Sequence, residues 1–293
     1  MTDLAVPEAL RAQLRAAAGG AYAERPDLAT ITLTGADVLR YLHTVTSQRT
    51  ADLAPGARTA ALLLSPKGKI EFAFQLAVEA GRVVLACDLE AASALAERLA
   101  RFVFRYDVAV GAPVAGGRTL LGPAAERPTG ASVAFGGPLG ADVFPAAGAG
   151  VAGLAEVGLD ALEVLRIERG VPRWGRELTD DVIAEEAGLL ASHVHLDKGC
   201  YPGQETVARV HNLGQVQRRL AGLRFGGGAP APFRADLVTD DGRRAGQVRS
   251  GAVHPELGPI ALAYVRRVVP DGALVMAGDQ VATVVPLPFQ PGA

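Results

Sequence analysis

The chemically most crowded part of the sequence is His195–His211, HLDKGCYPGQETVARVH, which holds one of the two cysteines of the chain. A Lys-Gly-Cys-Tyr-Pro-Gly turn leads into a helix-forming run, so Cys200 is expected just before or in the first turn of a helix. Backbone N–H groups and the helix dipole favour a thiolate there, and Lys198 acts in the same direction. We therefore predict that Cys200 is a functional thiol with a lowered pKa, supported by Lys198. The alternative is a buried cysteine that acts only as a small hydrophobe.

The polar neighbours of Cys200 allow further roles. Gln204 and Glu205 are expected to cap the helix or to hold the loop in place. His195 and His211 flank the motif, and either one is a potential partner in a cysteine–histidine dyad. No oxyanion-hole loop or third group accompanies them, so solvent-exposed histidines are the simpler interpretation.

The composition is that of an ordinary globular protein: of 293 residues, 49% are hydrophobic and 20% are charged. The length indicates two or three structural units. The apolar runs are far shorter than the roughly 20 residues that a membrane-spanning helix needs, and the N-terminus has no signal-peptide core. We therefore expect a cytoplasmic location and no membrane partner. Cys87 and Cys200 alone make neither a disulfide framework nor a four-thiolate site, so no metal centre is predicted.

The net charge of −2 is unevenly distributed along the chain. Residues 216–293 carry nine arginines and six acids, a net charge of +3, which leaves −5 for residues 1–215. Arginine doublets at 218–219, 243–244 and 266–267 are compatible with a polyanionic ligand or a nucleic acid. No stacking aromatics are interleaved with them, so a solvated face of a small barrel is the simpler interpretation.

Strands and helices alternate in the first half of the chain. Residues 28–48 are predicted to be a strand and a helix, 69–88 a hairpin with its turn at 79–81, and 89–104 a second helix. The residues expected on the buried faces are Val38, Leu42 and Val45 of the first helix, Ile70, Phe72, Phe74, Leu76 and Val78 of the hairpin, and Leu95, Leu99 and Phe102 of the second helix. This order of elements indicates an α+β fold.

The second half begins with a segment rich in glycine, alanine and proline, residues 110–154, which offers only short strands between turns. A helix is predicted from an N-cap at Asp160 to a C′ glycine at Gly170. After Gly214, short strands alternate with turn sequences, which is the pattern of a compact β-barrel. We place a domain boundary within Leu213–Leu223, so that residues 1–220 form an α+β region of two intertwined units and residues 221–293 form the barrel.

Lys198–Glu205, KGCYPGQE, matches the K-G-C-Y-x-G-Q-E signature of the YgfZ family, the folate-binding relatives of the glycine-cleavage T-protein. Weaker matches are GADVLRYLHTVTSQ, LLLSPKGKIEF and RIERGVP. The chain thus resembles this family from the region of Leu28 to the barrel. The resemblance implies an aminomethyltransferase-like three-part fold around a central folate-binding opening, with tetrahydrofolate or another reduced folate as the cofactor.

The resemblance also separates two branches of chemistry. It implies that aminomethyltransferases carry a G-G-I-x-D-D turn whose aspartates assist the attack by tetrahydrofolate. The corresponding stretch here is Gly68–Ala73, GKIEFA, so Phe72 and Ala73 replace the aspartates. A general acid or base needs a titratable group, and Glu71 is expected to point to the opposite strand face from Phe72. We therefore expect folate binding without aminomethyl transfer, although SPKGK is by itself also an ordinary hairpin turn.

Folate contacts are implied by the same resemblance. It places a pterin-facing glutamate at Glu168, for which surface ion pairing with Arg166 or Arg169 is the alternative. Arg209 or the doublet at 218–219 is expected to bind the glutamate tail through charge-assisted hydrogen bonds. The expected cofactor-binding residues are Glu168, Tyr201, Gln204, Glu205, Arg209 and Arg218.

The function implied by the resemblance is that of a folate-binding accessory protein which supports the assembly or repair of iron–sulfur clusters in other proteins. Its expected partners are iron–sulfur client or assembly proteins, with a tRNA as a weaker candidate. Two alternatives stay open. One is a tetrahydrofolate-dependent aminomethyltransferase or demethylating transferase, and the other is a thiol-dependent enzyme that uses Cys200 as its nucleophile.

Overall fold

The computed structural model describes residues 6–126, 128, 133–144, 151–214 and 216–290. In this part of the chain the α-helices are α1 (Glu8–Gly19), α2 (Val38–Val45), α3 (Leu89–Ala100), α4 (Leu159–Glu168), α5 (Leu190–His193) and α6 (Gln204–Leu213). The strands of the first 156 residues are β1 (Ala21–Glu24), β2 (Leu28–Thr34), β3 (Arg58–Leu64), β4 (Ile70–Glu79), β5 (Arg82–Asp88), β6 (Ala109–Val110), β7 (Val114–Ala115), β8 (Arg118–Leu121), β9 (Val133–Gly137), β10 (Gly140–Phe144) and β11 (Ala155–Glu156). The later strands are β12 (Arg218–Phe225), β13 (Asp236–Val238), β14 (Arg244–His254), β15 (Gly258–Arg266), β16 (Leu274–Ala277) and β17 (Gln280–Val285).

The first unit is an antiparallel sheet with the strand order β3-β4-β5-β2-β6, and β7 pairs with β2. Helices α2 and α3 bury their apolar faces against it, because Leu42 and Leu95 enter the same core cluster as Leu76 and Leu85. The predicted strand–helix segment, hairpin and second helix are therefore confirmed. The Tyr41 hydroxyl donates to the carbonyl of Leu99 at 2.6 Å and ties the two helices together.

Two details of this unit differ from the prediction. Leu63 pairs with Phe72 and Leu64 with Ile70, so Glu71 is the extra residue of a β-bulge. Ile70 consequently joins a different core cluster from that of Phe74, Leu76 and Val78, and the predicted alternation is wrong at its first step. Phe102 is also not on the buried face of a helix, since α3 ends at Ala100 and Phe102 is 43% exposed.

The second unit is a sheet with the order β11-β1-β8-β10-β9, covered by α1 and α4. The glycine-rich segment thus supplies short strands as predicted, although residues 127, 129–132 and 145–150 lie outside the described residues. Gly170 follows α4 with φ +69°, and the N–H groups of Gly170 and Val171 bond to the carbonyls of Ile167 and Arg166, which confirms the predicted C′ glycine. The predicted N-cap at Asp160 is wrong, because Gly158 occupies that position.

The third unit is a closed barrel with the order β12-β15-β14-β13-β16-β17. Its interior is filled by apolar side chains that include Leu223, Val248 and Val265. The predicted C-terminal barrel and the α+β class are therefore confirmed. The first barrel strand begins at Arg218, just ahead of the expected boundary, and the division of the chain into two domains stays a prediction. In the described part of the chain, no helix is long and apolar enough to cross a membrane.

Candidate functional site

Cys200 lies in an exposed loop that leads into α6. The helix begins at Gln204, and its N-cap is Gly203 in a left-handed conformation with φ +82°. Cys200 therefore precedes the helix and is not part of its first turn, which agrees with the first of the two predicted placements. The exposed thiol also excludes the alternative of a buried small hydrophobe, which instead describes Cys87.

Lys198 has a role that was not predicted. Its side chain is buried, and its ammonium group donates to three backbone carbonyls, those of His43 at 2.5 Å, Thr46 at 2.6 Å and Gln48 at 3.0 Å. These carbonyls lie at the C-terminal end of α2 and just beyond it, where a cation is favoured. Burial lowers the pKa of Lys198 to about 8, so the side chain is still protonated at neutral pH. Lys198 holds the loop against α2, and its three donor protons are used there.

Glycines from two separate motifs touch next to this loop. A Cβ at Gly203 would lie 2.6 Å from the carbonyl oxygen of Ser65 and 2.9 Å from the Cα of Gly68. A Cβ at Gly68, which has φ +73°, would lie 2.6 Å from the Cβ of Thr206. The SPKGK turn and the start of α6 are therefore in direct backbone contact, and each needs a glycine for that approach.

The other residues of the signature have different environments. Tyr201 is buried in the cluster that contains Leu64 and Ile70, and its ring lies 4.8 Å from the Lys198 nitrogen. Gln204 is half-buried, whereas Glu205 and Arg209 are exposed. In the described part of the chain, Arg209 has no ion-pair partner.

Three histidines surround the loop. His195 and His211 line an open groove of about 560 Å³ together with residues of α5, and Cys200 is not among its lining residues. His43, which was not singled out from the sequence, approaches more closely. Its Nε2 is 3.9 Å from the position that a Cβ at Gly199 would occupy, and its Nδ1 accepts the N–H of Thr50. Burial and the charge of Lys198 lower the pKa of His43.

A cavity of about 520 Å³, the central cavity, lies between the second unit, the barrel and the connection that leads into β2. The connection between β1 and β2 contributes Arg25 and Asp27, and α4 contributes one of its faces. The segment after α4 adds Arg173 and Arg176, while the barrel closes the cavity with residues 230–233 and 249–251. Five arginines and three acids line it, so its polar surface has a positive surplus.

Arg166 organises the inner wall of this cavity. Its guanidinium binds both carboxylate oxygens of Glu163, at 2.8 and 2.7 Å, and also donates to Ser250 at 2.7 Å and to Glu177 at 3.1 Å. Burial alone raises the pKa of Glu163, but the hydrogen bonds and charge of Arg166 outweigh it, so the pKa is lowered. This network connects α4 to the barrel, and the alternative of a surface ion pair between Arg166 and Glu168 is not formed.

None of the predicted folate contacts lines the central cavity. Glu168 is the last residue of α4 and is half-buried. Its carboxylate lies 3.7 Å from Nε2 of His254. Arg218 is bound to Asp181 at 3.0 Å and to Glu186 at 3.2 Å, so its guanidinium is held in ion pairs inside the protein. Among the residues of the quoted sequence motifs, only Arg166 of RIERGVP lines the cavity, and the rest of the lining comes from residues outside those motifs.

The segment Gly68–Ala73 has no free carboxylate. Phe72 stacks on Trp174 with 5.4 Å between ring centroids and an interplanar angle of 14°. Ala73 packs against the cluster of Leu62 and Leu64. Glu71, the bulge residue, forms an ion pair with Arg98 at 2.9 Å. The local chemistry of this turn is aromatic packing.

Three units around a central cavity, one of them a closed C-terminal barrel, define the aminomethyltransferase fold. The crystal structure of glycine cleavage system aminomethyltransferase T from Bartonella henselae matches 98% of this chain and 91% of that chain, with a TM-score of 0.83. The two sequences are 23% identical, so this likeness concerns the fold. The predicted fold class is confirmed.

Similar sequences include aminomethyltransferases and no protein-family model matches the chain. The chain is 41% identical to the aminomethyltransferase of Moorella thermoacetica over 116 residues, which are 39% of this chain and 31% of that protein. It is 35% identical over 136 residues to a chloroplastic protein of Arabidopsis thaliana that is named as a transferase; the match covers 45% of this chain and 30% of that protein. The matches thus span about a third of these relatives, and over the matched segments the chain is similar in sequence to aminomethyltransferases.

Proposed function

We propose that this chain is a folate-binding accessory protein. It binds a reduced folate in the central cavity, does not transfer aminomethyl groups, and supports the assembly or repair of iron–sulfur clusters in other proteins. The observation that carries the proposal is the central cavity, with its surplus of guanidinium groups and its apolar wall.

The dimensions and lining of the cavity suit a folate. Its volume of about 520 Å³ is within the range of small-molecule sites. Leu139, Leu162, Pro232 and Phe233 offer apolar contacts to a pterin and an aminobenzoyl ring, and arginines are the side chains that best bind carboxylates. An apolar wall next to guanidinium groups therefore matches a ligand with aromatic rings and a dicarboxylate end.

Transfer chemistry is disfavoured by the aromatic packing at the Gly68–Ala73 turn. A general acid or base must come within hydrogen-bond reach of the reacting nitrogen, and the only carboxylate of this turn, that of Glu71, is bound to Arg98. The names of the similar proteins keep an aminomethyltransferase as the second candidate. A direct assay of ammonia release, with a lipoyl-bound aminomethyl donor and tetrahydrofolate, separates the two.

The accessory role rests on the resemblance carried by Lys198–Glu205 and on the exposure of Cys200. Because Cys200 does not line the cavity, its thiol is available to a partner protein and not to the bound folate. The test is complementation of cells that lack the native protein, read out as the activity of iron–sulfur enzymes. We expect Cys200→Ser to fold normally and to fail; full complementation by this variant would exclude a thiol-dependent role.

Folate binding is tested by calorimetry with 5-formyltetrahydrofolate. Phe233→Ala removes an aromatic contact worth about 1.5 kcal/mol and is expected to weaken binding about tenfold. Phe104→Ala is the matched control, because this ring is 78% exposed and lies outside the cavity lining. Equal affinity of both variants for the folate would contradict the proposal that the folate binds in the central cavity.

Glu168→Ala distinguishes two placements of the pterin. Retained binding supports a ligand within the described lining, which excludes Glu168. Loss of binding in a folded variant would support the pterin contact implied by the resemblance and would place the ring toward His254.

A further inference from the structure

Arginines and aromatic residues are interleaved in the segment that follows α3, residues 101–106, RFVFRY. Phe102 is 43% exposed and Phe104 is 78% exposed, so both rings present a large part of their surface to solvent. Single exposed apolar side chains are ordinary, but two phenylalanines within three positions form a patch that a partner can contact. The segment belongs to the first unit, and none of its residues lines the central cavity.

The backbone of this segment is held by the core of the first unit. Val103 and Tyr106 are half-buried and pack against the core cluster that contains Leu99. Phe102 donates its N–H to the carbonyl of Leu99 at 3.3 Å, and Tyr106 donates its N–H to the carbonyl of Val103 at 2.7 Å. The rings of Tyr106 and Tyr41 lie 5.4 Å apart between centroids. The two exposed rings therefore stand on a backbone that is fixed by packing and by turn hydrogen bonds.

A guanidinium group accompanies each exposed ring. The Cζ atom of Arg98 lies 4.5 Å from the centroid of the Phe102 ring. The Cζ atom of Arg105 lies 5.4 Å from the centroid of the Phe104 ring. Both distances are within the range of cation–π contacts. Arg101 and Arg105 are exposed, and neither forms an ion pair or a side-chain hydrogen bond with any described residue.

The charge of this patch is positive. Residues 98–106 contain three arginines and no acid, a local charge of +3 on a chain whose net charge is −2. Arg98 is bound to Glu71, and the carboxylate of Asp107, just after the patch, accepts the N–H of Ala36 at 3.0 Å. The charge that is left for a ligand is therefore that of two exposed guanidinium groups. Such groups attract a polyanion, and an exposed phenylalanine ring is a surface on which a flat heterocycle stacks.

We infer that residues 98–106 form a binding face for a single-stranded nucleic acid. Arg101 and Arg105 bind phosphates, and an unpaired base stacks on the ring of Phe104, the more exposed of the two phenylalanines. A single strand is required because the bases of a duplex stack on one another and offer no free face to a side chain. The inference does not depend on the proposed function, since the face lies outside the central cavity.

An acidic protein is the other partner that arginines attract. A stable protein interface buries about 1,000 Å² or more around an apolar centre. The apolar surface of residues 98–106 consists of two rings between arginines, which suits stacking on bases better than the apolar centre of an interface. Repeated arginines with aromatic side chains between them are typical of proteins that bind single strands.

The experiment measures the binding of a fluorescein-labelled oligouridylate to the full chain by fluorescence anisotropy. We expect a dissociation constant on the order of 10⁻⁵ M at about 50 mM salt, with weaker binding as salt is added. Phe104→Leu keeps an apolar side chain but loses the aromatic face, so it should weaken binding at least about fivefold. Phe104→Trp should bind at least as tightly as the native chain, because its ring is larger. An oligodeoxythymidylate of the same length shows whether the face prefers RNA or DNA, and a duplex of that length should bind less tightly than either strand.

The charge of the face is tested by the double variant Arg101→Gln with Arg105→Gln, which should lower the affinity about tenfold at about 50 mM salt. Arg243→Gln with Arg244→Gln is the matched control, because it removes the same charge from an exposed turn of the barrel. Thermal unfolding checks that each variant is folded. Equal losses in the two double variants would show general charge attraction and would overturn the inference.

Two further results would also overturn the inference. Unchanged affinity of the folded Phe104→Leu variant would exclude stacking of a base on this ring. Poly-L-glutamate is the probe for an acidic protein: if it competes with the labelled strand as well as an unlabelled strand of the same charge does, the face binds any polyanion.

Discussion

At the scale of single residues, the sequence predicted that Cys200 lies just before a helix, but it did not predict the partners of Lys198. The spacing of KGCYPGQE marks an unusual turn, and Cys200 is exposed within it as a functional thiol requires. Lys198 was expected to act on that thiol because it lies two positions away. Its ammonium instead reaches carbonyls 150 to 155 positions earlier in the chain. Such a partner is chosen by tertiary packing, which leaves no local pattern in the sequence.

Lys198→Met should therefore destabilise the fold more than Cys200→Ser does. Loss of the ammonium leaves three carbonyls without their donor, which we expect to cost about 2–4 kcal/mol in the free energy of unfolding. Cys200→Ser changes an exposed atom and should stay within about 0.5 kcal/mol. Urea denaturation measures the free energy of unfolding of both variants. It is done at pH 7, because Lys198, with a pKa of about 8, is protonated there. Equal stabilities would contradict the structural role of Lys198.

At the scale of elements, the periodicity of hydrophobic residues and the positions of turn-forming residues predicted the hairpin, the C-terminal end of α4 and the barrel strands. They did not predict the bulge at Glu71, because a bulge is set by pairing with β3 and not by the alternation within β4. They also did not predict that the SPKGK turn lies against the start of α6. The glycines of each segment are visible in the sequence. A contact between two elements that are distant in sequence, however, produces no periodic pattern of residues that could predict it.

Gly203→Ala tests this contact. The new Cβ would lie 2.6 Å from the Ser65 carbonyl oxygen, and φ is +82°, so overlap and backbone strain both act. We expect the free energy of unfolding to fall by about 2–4 kcal/mol. Gly214→Ala, at the other end of α6, is the control because φ is +63° there and nothing lies within 4 Å of its Cβ. That variant should lose only about 1 kcal/mol from strain. Thermal unfolding of both variants measures these losses of stability. A similar loss at the two positions would exclude the close approach of Gly203 to Ser65.

At the scale of the whole molecule, the α+β class and the barrel followed from the order of elements, whereas the cavity did not. Its lining extends from Arg25 to Gly251 and joins residues of the second unit, the barrel and the segments that connect the units. Several of them, including Glu163 and Arg249, lie in ordinary helical or strand patterns that predict only local structure. The motif resemblance therefore predicted the fold, whereas the folate contacts that it implies stay predictions, since none of them lines this cavity.

The proposed lack of transfer activity concerns the whole molecule, because such activity depends on where the units would place a carboxylate relative to a bound folate. A positioned general acid or base contributes about 10²- to 10⁴-fold to a rate, and at the Gly68–Ala73 turn this position is filled by Phe72 stacked on Trp174. With a lipoyl-bound aminomethyl donor and tetrahydrofolate, ammonia release should fall below that of a glycine-cleavage aminomethyltransferase run in parallel by at least about 10²-fold. The same preparation must bind 5-formyltetrahydrofolate, so that inactivity is not confused with an unfolded protein. Turnover comparable to that of the reference enzyme would show that the chain is a transferase. The proton transfer would then be carried out by another carboxylate, outside this turn.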